Sequence, residues 1–309
     1  MADKTDTPAF AIVTDSSCDL SPETLARLGV TLVSGRITIK GDEYLDRRIT
    51  REERDEIFAH WGSVRVTAPG RDSYAAAFED LVEEGASEVV VAAPSTVLSG
   101  SYSSALEAAH RVRGARFKII DTRCVSVSLA MVVARLVMDR DAGLSVEEAV
   151  SNAAKVAEES RLLMLLPPQI EPGAAHLLGN SRGLRRSLRA LSFRVSGDYV
   201  FTEIDETGDV NILRRSSDFD WLAGNLARTM SVRAHEAGPL TTIEVWTARD
   251  DTLSRLEKPL VTNEFVAERA AVVRARFTTE AALGSGTVGI AFVPQSLLDP
   301  YELRELLAQ

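Results

Sequence analysis

Lysine is scarce in this chain. Five lysines stand among 35 Lys and Arg residues, against 45 Asp and Glu, for a net charge of −10. A broad nucleic-acid surface needs clustered positive charge, so that class of partner is excluded. The two cysteines, Cys18 and Cys124, have no Cys/His cluster around them, fit neither a metal spacing nor a disulfide framework, and read as reduced structural thiols. The four histidines (60, 110, 176 and 235) are scattered, and none stands beside a second ligand type at metal spacing. No Gly-Lys-Ser/Thr occurs, which removes the P-loop. No apolar run is long enough for a bilayer: the longest, Val125 to Met138, contains Arg135. The opening MADKTDTPAF is polar and lacks the apolar core of a signal peptide. The expectation is a cytoplasmic protein with no stable membrane insertion, no metal and no cofactor.

What is present is an ordinary globular composition, 45% hydrophobic and 26% charged. At 309 residues, two domains are the natural expectation, each large enough for its own core. Glu88 to Val112 is the most informative stretch. Val89-Val90-Val91 has the β-branched character of a strand buried on both faces. From Ala105 the apolar residues recur at helical spacing. Between them Ser95, Thr96, Ser99, Ser101, Ser103 and Ser104 crowd around Gly100. A strand that ends in hydroxyls and opens a helix aims unpaired N–H groups at one spot, which suits a carboxylate or phosphate. On this segment alone ordinary N-capping is the better explanation of such serines. Two further segments repeat the pattern. Phe10 to Val13 ends in Thr14-Asp15-Ser16-Ser17-Cys18-Asp19, ahead of a helix entered at Ser21-Pro22-Glu23. Phe117 to Ile120 ends in Asp121-Thr122-Arg123, ahead of the apolar helix Val125 to Met138. In an open α/β sheet three such loops gather at the carboxyl edge of the strands, where ligands bind.

Residues 8–165 read as alternating strands and helices, which predicts a mostly parallel sheet with helices on both faces. Val30 to Ile39 reads as one strand region, 41–50 as a turn and polar connection, and Thr50 to Trp61 as a helix opened by a capping box. Val64 to Thr67 is short and extended, helices run from Ser73 to Glu84 and from Ser145, and Pro167, Pro168 and Pro172 mark the boundary. Residues 166–309 read as an α+β domain. It has a hairpin over Tyr199–Ile204 and Val210–Arg214, a helix over Phe219–Ala237, and strands at Thr241–Thr247, Val272–Phe277 and Val288–Val293 before a closing helix.

Two motifs match only in letters. Gly179-Asn-Ser181-Arg-Gly183 spells the elbow of a serine hydrolase, but no strand precedes it. Gly284 to Gly289 spells G-x-G-x-x-G but opens a strand rather than a helix. Arg182, Arg185, Arg186 and Arg189 line one helical face, either a solvated basic face or a docking patch for an anion. The chain therefore carries polar cradles with no evident catalytic engine.

The order of its motifs resembles the DegV family of bacterial fatty-acid-binding proteins, which includes the FakB-type acyl carriers. Thr14-Asp15-Ser16-Ser17 stands for that family's T-D-S-[ST], Thr67-Ala68-Pro69 for its T-S-Q-P, and Leu98-Ser99-Gly100-Ser101-Tyr102 for its L-S-G-T-Y. Ile120-Asp121-Thr122, Asn180-Ser181-Arg182 and Gly284 to Ile290 follow in the family's order. The resemblance implies a two-domain fold with a tunnel between the domains for one long-chain fatty acid. It implies no catalytic residue: the carboxyl head is presented to a partner fatty-acid kinase. Carried over, Thr67 and Ser99 hold the head group, Ser101 and the N–H groups around Gly100 assist, Ser16 belongs to the same cradle, and Arg182 lies near the mouth. Three positions depart from the pattern: Ala282 where the family commonly has histidine, Ala68 in place of Ser-Gln, and no Lys-Pro around Asp198-Tyr199. A lost buried hydrogen-bond partner costs about 1–3 kcal/mol if nothing replaces it. Two rival readings follow, a binder of another small amphiphilic or anionic ligand, and a serine hydrolase using Ser181 or a serine of the 94–104 loop.

Overall fold

The computed structural model describes residues 9–46, 52, 64–168, 197–247, 250–262 and 265–308. Its first sheet holds β1 (Ala11–Asp15), β2 (Val30–Val33), β6 (Glu88–Ala93) and β7 (Arg116–Asp121), all parallel, in the order β2-β1-β6-β7. Period-two alternation sends Val13, Val89 and Val91 to one face, where they pack on Tyr74 and Phe78 of α2 (Arg71–Glu83) and on Ala105 and Ala108 of α3 (Ser101–Ala109). Ile12, Val90 and Ala92 face the other way, onto α4 (Ser126–Asp141) and α5 (Val146–Glu159). The short helix α1 (Pro22–Arg27) joins β1 to β2.

The second sheet has six strands in the order β10-β9-β8-β13-β11-β12. They are β8 (Arg161–Leu166), β9 (Tyr199–Ile204), β10 (Val210–Ser216), β11 (Leu240–Trp246), β12 (Ala267–Arg274) and β13 (Val288–Pro294). One face (Leu162, Met164, Val245, Val293) joins the cluster around α4. The opposite face packs on Phe219, Leu222 and Leu226 of α6 (Phe219–Ala237) and on Leu253 and Leu256 of α7 (Asp250–Glu257). Helix α9 (Pro300–Ala308) closes the described chain. Twelve of the 16 residues of α4 are buried. The helix is largely apolar because it is sandwiched between two sheets, and one apolar cluster therefore runs through both units.

A third, small antiparallel sheet, β4-β3-β5, sits beside this stack: β3 (Arg36–Ile39), β4 (Asp42–Leu45) and β5 (Val64–Thr67). Its apolar face (Ile37, Ile39, Val64) packs on Phe277 and Ala281 of α8 (Phe277–Leu283). Several expectations are corrected here. Val30 to Ile39 is two strands in two sheets, because the chain turns at Ser34-Gly35. The "polar connection" contains β4. Strand β8 pairs with β9 and β13, so the passage into the second unit comes at Ser160, ahead of the prolines, and not at 165/166. The strand expected to reach Phe277 ends at Arg274, since Phe277 begins α8. The helix expected at 50–61 lies outside the described residues, Glu52 excepted. The hairpin at 199–214 and helix α6 are as expected.

Leu136, fully buried on α4, tests the sandwich. The L136A variant is expected to lose about 2–5 kcal/mol of unfolding free energy in urea titrations. Tryptophan fluorescence and far-UV circular dichroism should move together. A loss below about 1 kcal/mol, less than a filled core site gives up, or two separate transitions, would contradict a shared core.

Candidate functional site

In the first sheet the chain leaves β1 toward β2 on one side and β6 toward β7 on the other. The switch point is therefore between β1 and β6, and a ligand crevice is expected outside their carboxyl ends. A cavity of about 440 Å³ opens there, within the usual size for small-molecule sites. Its polar end is made by Asp15 at the end of β1 and Ser16 and Ser17 after it, by Ser99 and Gly100 after β6, and by Thr67 at the end of β5. Its apolar wall comes from both units, with Leu98 and Val125 from the first and Met164 and Leu166 of β8, Ile204 of β9, Val210 of β10 and Leu283 of α8 from the second.

The polar end is built on buried carboxylates. Asp15 is 2% exposed. It accepts the N–H of Ser17 at 2.9 Å, the Ser17 hydroxyl, and the Ser101 hydroxyl at 2.5 Å. Burial pushes its pKa upward, and the bonds from Ser101 and Ser17 oppose that shift. Asp19 accepts the Ser126 hydroxyl at 2.5 Å and the Arg276 N–H at 2.8 Å. Burial raises its pKa to about 6 against those bonds, with the nearby Asp46 charge adding to the rise. Asp46 pairs with Arg276 at 2.5 Å and accepts from the N–H and hydroxyl of Thr278, both at 3.3 Å. Strand β4, the loop after β1 and the start of α8 are thereby tied together under the cavity.

Close backbone contacts complete the frame. Gly35 donates its N–H to Ser16 Oγ at 2.9 Å. A Cβ at Gly35 would lie 3.0 Å from Ser16 Oγ and 3.3 Å from the Thr67 carbonyl, so glycine lets three strand ends converge. At Gly208, in the turn between β9 and β10, the carbonyl accepts from Ser95 Oγ at 2.8 Å. A Cβ there would come within 2.4 Å of that oxygen. Ser126, which lines the cavity, holds φ at +54°, a strained setting for a non-glycine residue that is common where loops serve a site.

Ser16, Thr67, Ser99 and Gly100 share the cavity lining. Ser101 is fully buried behind it, between Ser99 and Asp15. Arg182, like Ser181 and the other arginines of that run, lies outside the described residues. Ala68 and Ala282 both face the cavity, so the expected histidine position is at the site and carries a methyl group. Capping accounts for part of the serine cluster: α3 is entered through Gly100 without a side-chain cap bond, but Ser99 Oγ accepts the Ser101 N–H at 3.2 Å and Ser95 Oγ the Val97 N–H at 3.2 Å. Sequence reading passed over Asp15, Thr278 and Thr279. The first could have been found from its Asx turn ahead of two serines, whereas α8 gave no signal. Burial pushes both thiols, Cys18 and Cys124, up to about 12, consistent with inert structural cysteines. Gly284 to Gly289 forms the turn into β13. Among the described residues no helix is long and apolar enough to cross a membrane, and no His/Cys/Asp/Glu group could hold a metal ion.

A family model described as "Uncharacterised protein, DegV family" matches residues 9–167. A DegV domain-containing protein of Staphylococcus aureus (strain N315) is 31% identical over 156 residues, 50% of this chain and 55% of that one. The match thus spans about half the length of such relatives. Among solved structures, a DegV family protein from Thermus thermophilus, described for its fatty-acid binding, superposes with a TM-score of 0.77 at 20% identity, over 92% of this chain and 99% of that one. A stearic-acid-binding protein from Eubacterium ventriosum does so with a TM-score of 0.75 at 22% identity, over 93% and 98%. At these identities the likeness establishes the fold.

The raised pKa of Asp19 has a definite sign. An acid whose folded pKa exceeds its unfolded value of 3.8 adds stability below that value, and loses it as pH rises through about 6. Asp19→Asn removes this loss. Relative to the parent, the variant is expected to gain up to about 3 kcal/mol between pH 4 and 7, read from urea midpoints. A stability difference that stays constant with pH would refute the assignment.

Proposed function

The chain belongs to the DegV family, and on that premise we propose that it is a fatty-acid carrier. It holds one long-chain fatty acid in the cavity between its two sheets and presents the carboxyl head to a partner fatty-acid kinase in the cytoplasm. The carrier itself supplies no catalytic residue. The observation that carries the reading is the polarity of a single cavity. Its hydroxyl-bearing end lies at the switch point of the parallel sheet, and its other walls are mostly apolar, Leu98 and Val125 from the first unit and Met164, Leu166, Ile204 and Val210 from the second. An amphiphile with one small polar head and one apolar tail matches that division. The solved neighbours described as fatty-acid binding support it through the shared fold.

In this reading Thr67, Ser99 and Ser16 hydrogen-bond the head, Gly100 lets it approach the backbone, and Ser101 fixes Ser99. Arg182, which lies outside the described residues, is assigned the transferring phosphoryl group by the family resemblance alone. Ala282, which lines the cavity where histidine was expected, favours a second reading, another amphiphilic acid of similar shape. The hydrolase reading has less support: among the described residues the histidines are His110, exposed, and His235, which bonds the Ser231 carbonyl at 2.7 Å.

Two measurements test the proposal. Each methylene buried is worth about 0.8 kcal/mol, so affinity should rise about fourfold per carbon until the cavity is filled. The double variant Thr67→Ala, Ser99→Ala should weaken fatty-acid binding by about tenfold or more while its urea midpoint stays near the parent's. Parent-like binding by the double variant would remove the head-group assignment. A stronger displacement by some other amphiphilic acid would favour the second reading.

A further inference from the structure

The hydroxyl protons at the polar end have a fixed direction. A serine hydroxyl carries one proton, and an ionised carboxylate only accepts. Ser101 Oγ gives its proton to Asp15 at 2.5 Å, so toward Ser99 it must accept, and Ser99 Oγ donates to it at 3.0 Å. Ser99 also takes the Ser101 N–H at 3.2 Å. What Ser99 has left for the cavity is a lone pair. Its neighbours are committed in the same sense: Ser17 donates to Asp15, Ser126 and Thr279 to Asp19, and Thr278 to Asp46. Ser16 is different, since its Oγ accepts the Gly35 N–H and keeps its own proton for the cavity.

We propose that this site selects a head group that donates a hydrogen bond, so that a fatty acid is held as the neutral carboxylic acid, with Asp15 as the positioning residue that sets the direction of the Ser99–Ser101–Asp15 chain. The inference rests on the fatty-acid reading above and deepens it. The acid's carbonyl oxygen takes the protons of Ser16 and Thr67, and its O–H donates to Ser99. A carboxylate would instead meet Ser99 lone pair to lone pair. Among the described residues the lining holds one cation, Arg65, on the exposed side of β5. The groups facing Asp15 donate to it or lie close to it, and none of them takes a proton from it. They are Ser17 and Cys18 from its own loop, Tyr74 of α2, Ser101 of α3, and Arg276 ahead of α8. Burial keeps the Cys18 thiol and the Tyr74 phenol neutral, and Arg276 is paired with Asp46. An ionised fatty acid from solution therefore takes up one proton as it binds.

The test uses the full chain and three ligands of equal tail length: the carboxylic acid, the primary amide and the alkyl sulfonate, each below its micelle concentration. The acid's affinity is expected to fall about tenfold per pH unit between pH 6 and 9. Calorimetry in two buffers of different ionisation enthalpy should report one proton taken up. The amide should bind independently of pH, and the sulfonate at least a hundredfold more weakly than the acid at pH 6. In the Asp15→Asn variant the amide N–H can donate to Ser101, which reverses the chain and should raise the sulfonate's affinity relative to the acid. If that variant does not fold, the three ligands on the parent protein decide the question. Sulfonate binding equal to that of the acid, or an acid affinity flat from pH 6 to 9, overturns this inference and leaves the fatty-acid reading standing. Failure of all three ligands to bind at any pH overturns both.

Discussion

Burying a carboxyl group is costly unless it is paired or hydrogen-bonded, and this chain buries three of them side by side. Asp15, Asp19 and Asp46 are each less than a tenth exposed. Their partners come from far along the chain: the Arg276 N–H reaches Asp19 across 257 residues, and the Arg276 guanidinium reaches Asp46 across 230. The requirement to satisfy these groups draws the loop after β1, the end of the small sheet and the start of α8 to one place. That place is the floor of the cavity. The same demand orders the hydroxyls, because each carboxylate dictates which way its serine or threonine points.

The apolar side of the cavity follows from a second constraint. Helix α4, with 12 of its 16 residues buried, fills the space between the two sheets. The two sheets are thereby held apart by about one helix diameter, which is about 10 Å. Beyond the N-terminus of α4 that gap is not filled by helix, and the walls of β8, β9 and β10 are left facing the loops of the first sheet. Docking of the Gly208 turn on Ser95 fixes that end.

Much of this was legible in residues. The valines 89–91 announced a doubly covered strand, and the three hydroxyl-bearing strand ends announced a shared edge. The span Phe219–Ala237 of α6 was legible too, and in the structure Asp218 caps it by accepting the Trp221 N–H. What was missed has physical reasons. Ser34-Gly35 breaks an apolar run without a change of composition, so two strands read as one. The β8 run Leu162 to Leu166 lies before the prolines and looks like the close of one unit, although its pairing partners lie entirely in the next. Thr278 and Thr279 enter the site only because α8 packs on a sheet distant in sequence. The role of Asp15 depends on Ser101, 86 residues away, and no local pattern encodes that contact.

The central claim, a fatty acid lodged between the two sheets, is tested most directly by native mass spectrometry of the full chain as purified from a bacterial host, followed by solvent extraction of whatever is bound. The expected result is one long-chain fatty acid per chain, released on denaturation. An empty protein that also takes up no fatty acid when one is added would contradict the claim and leave a family fold without the carrier function.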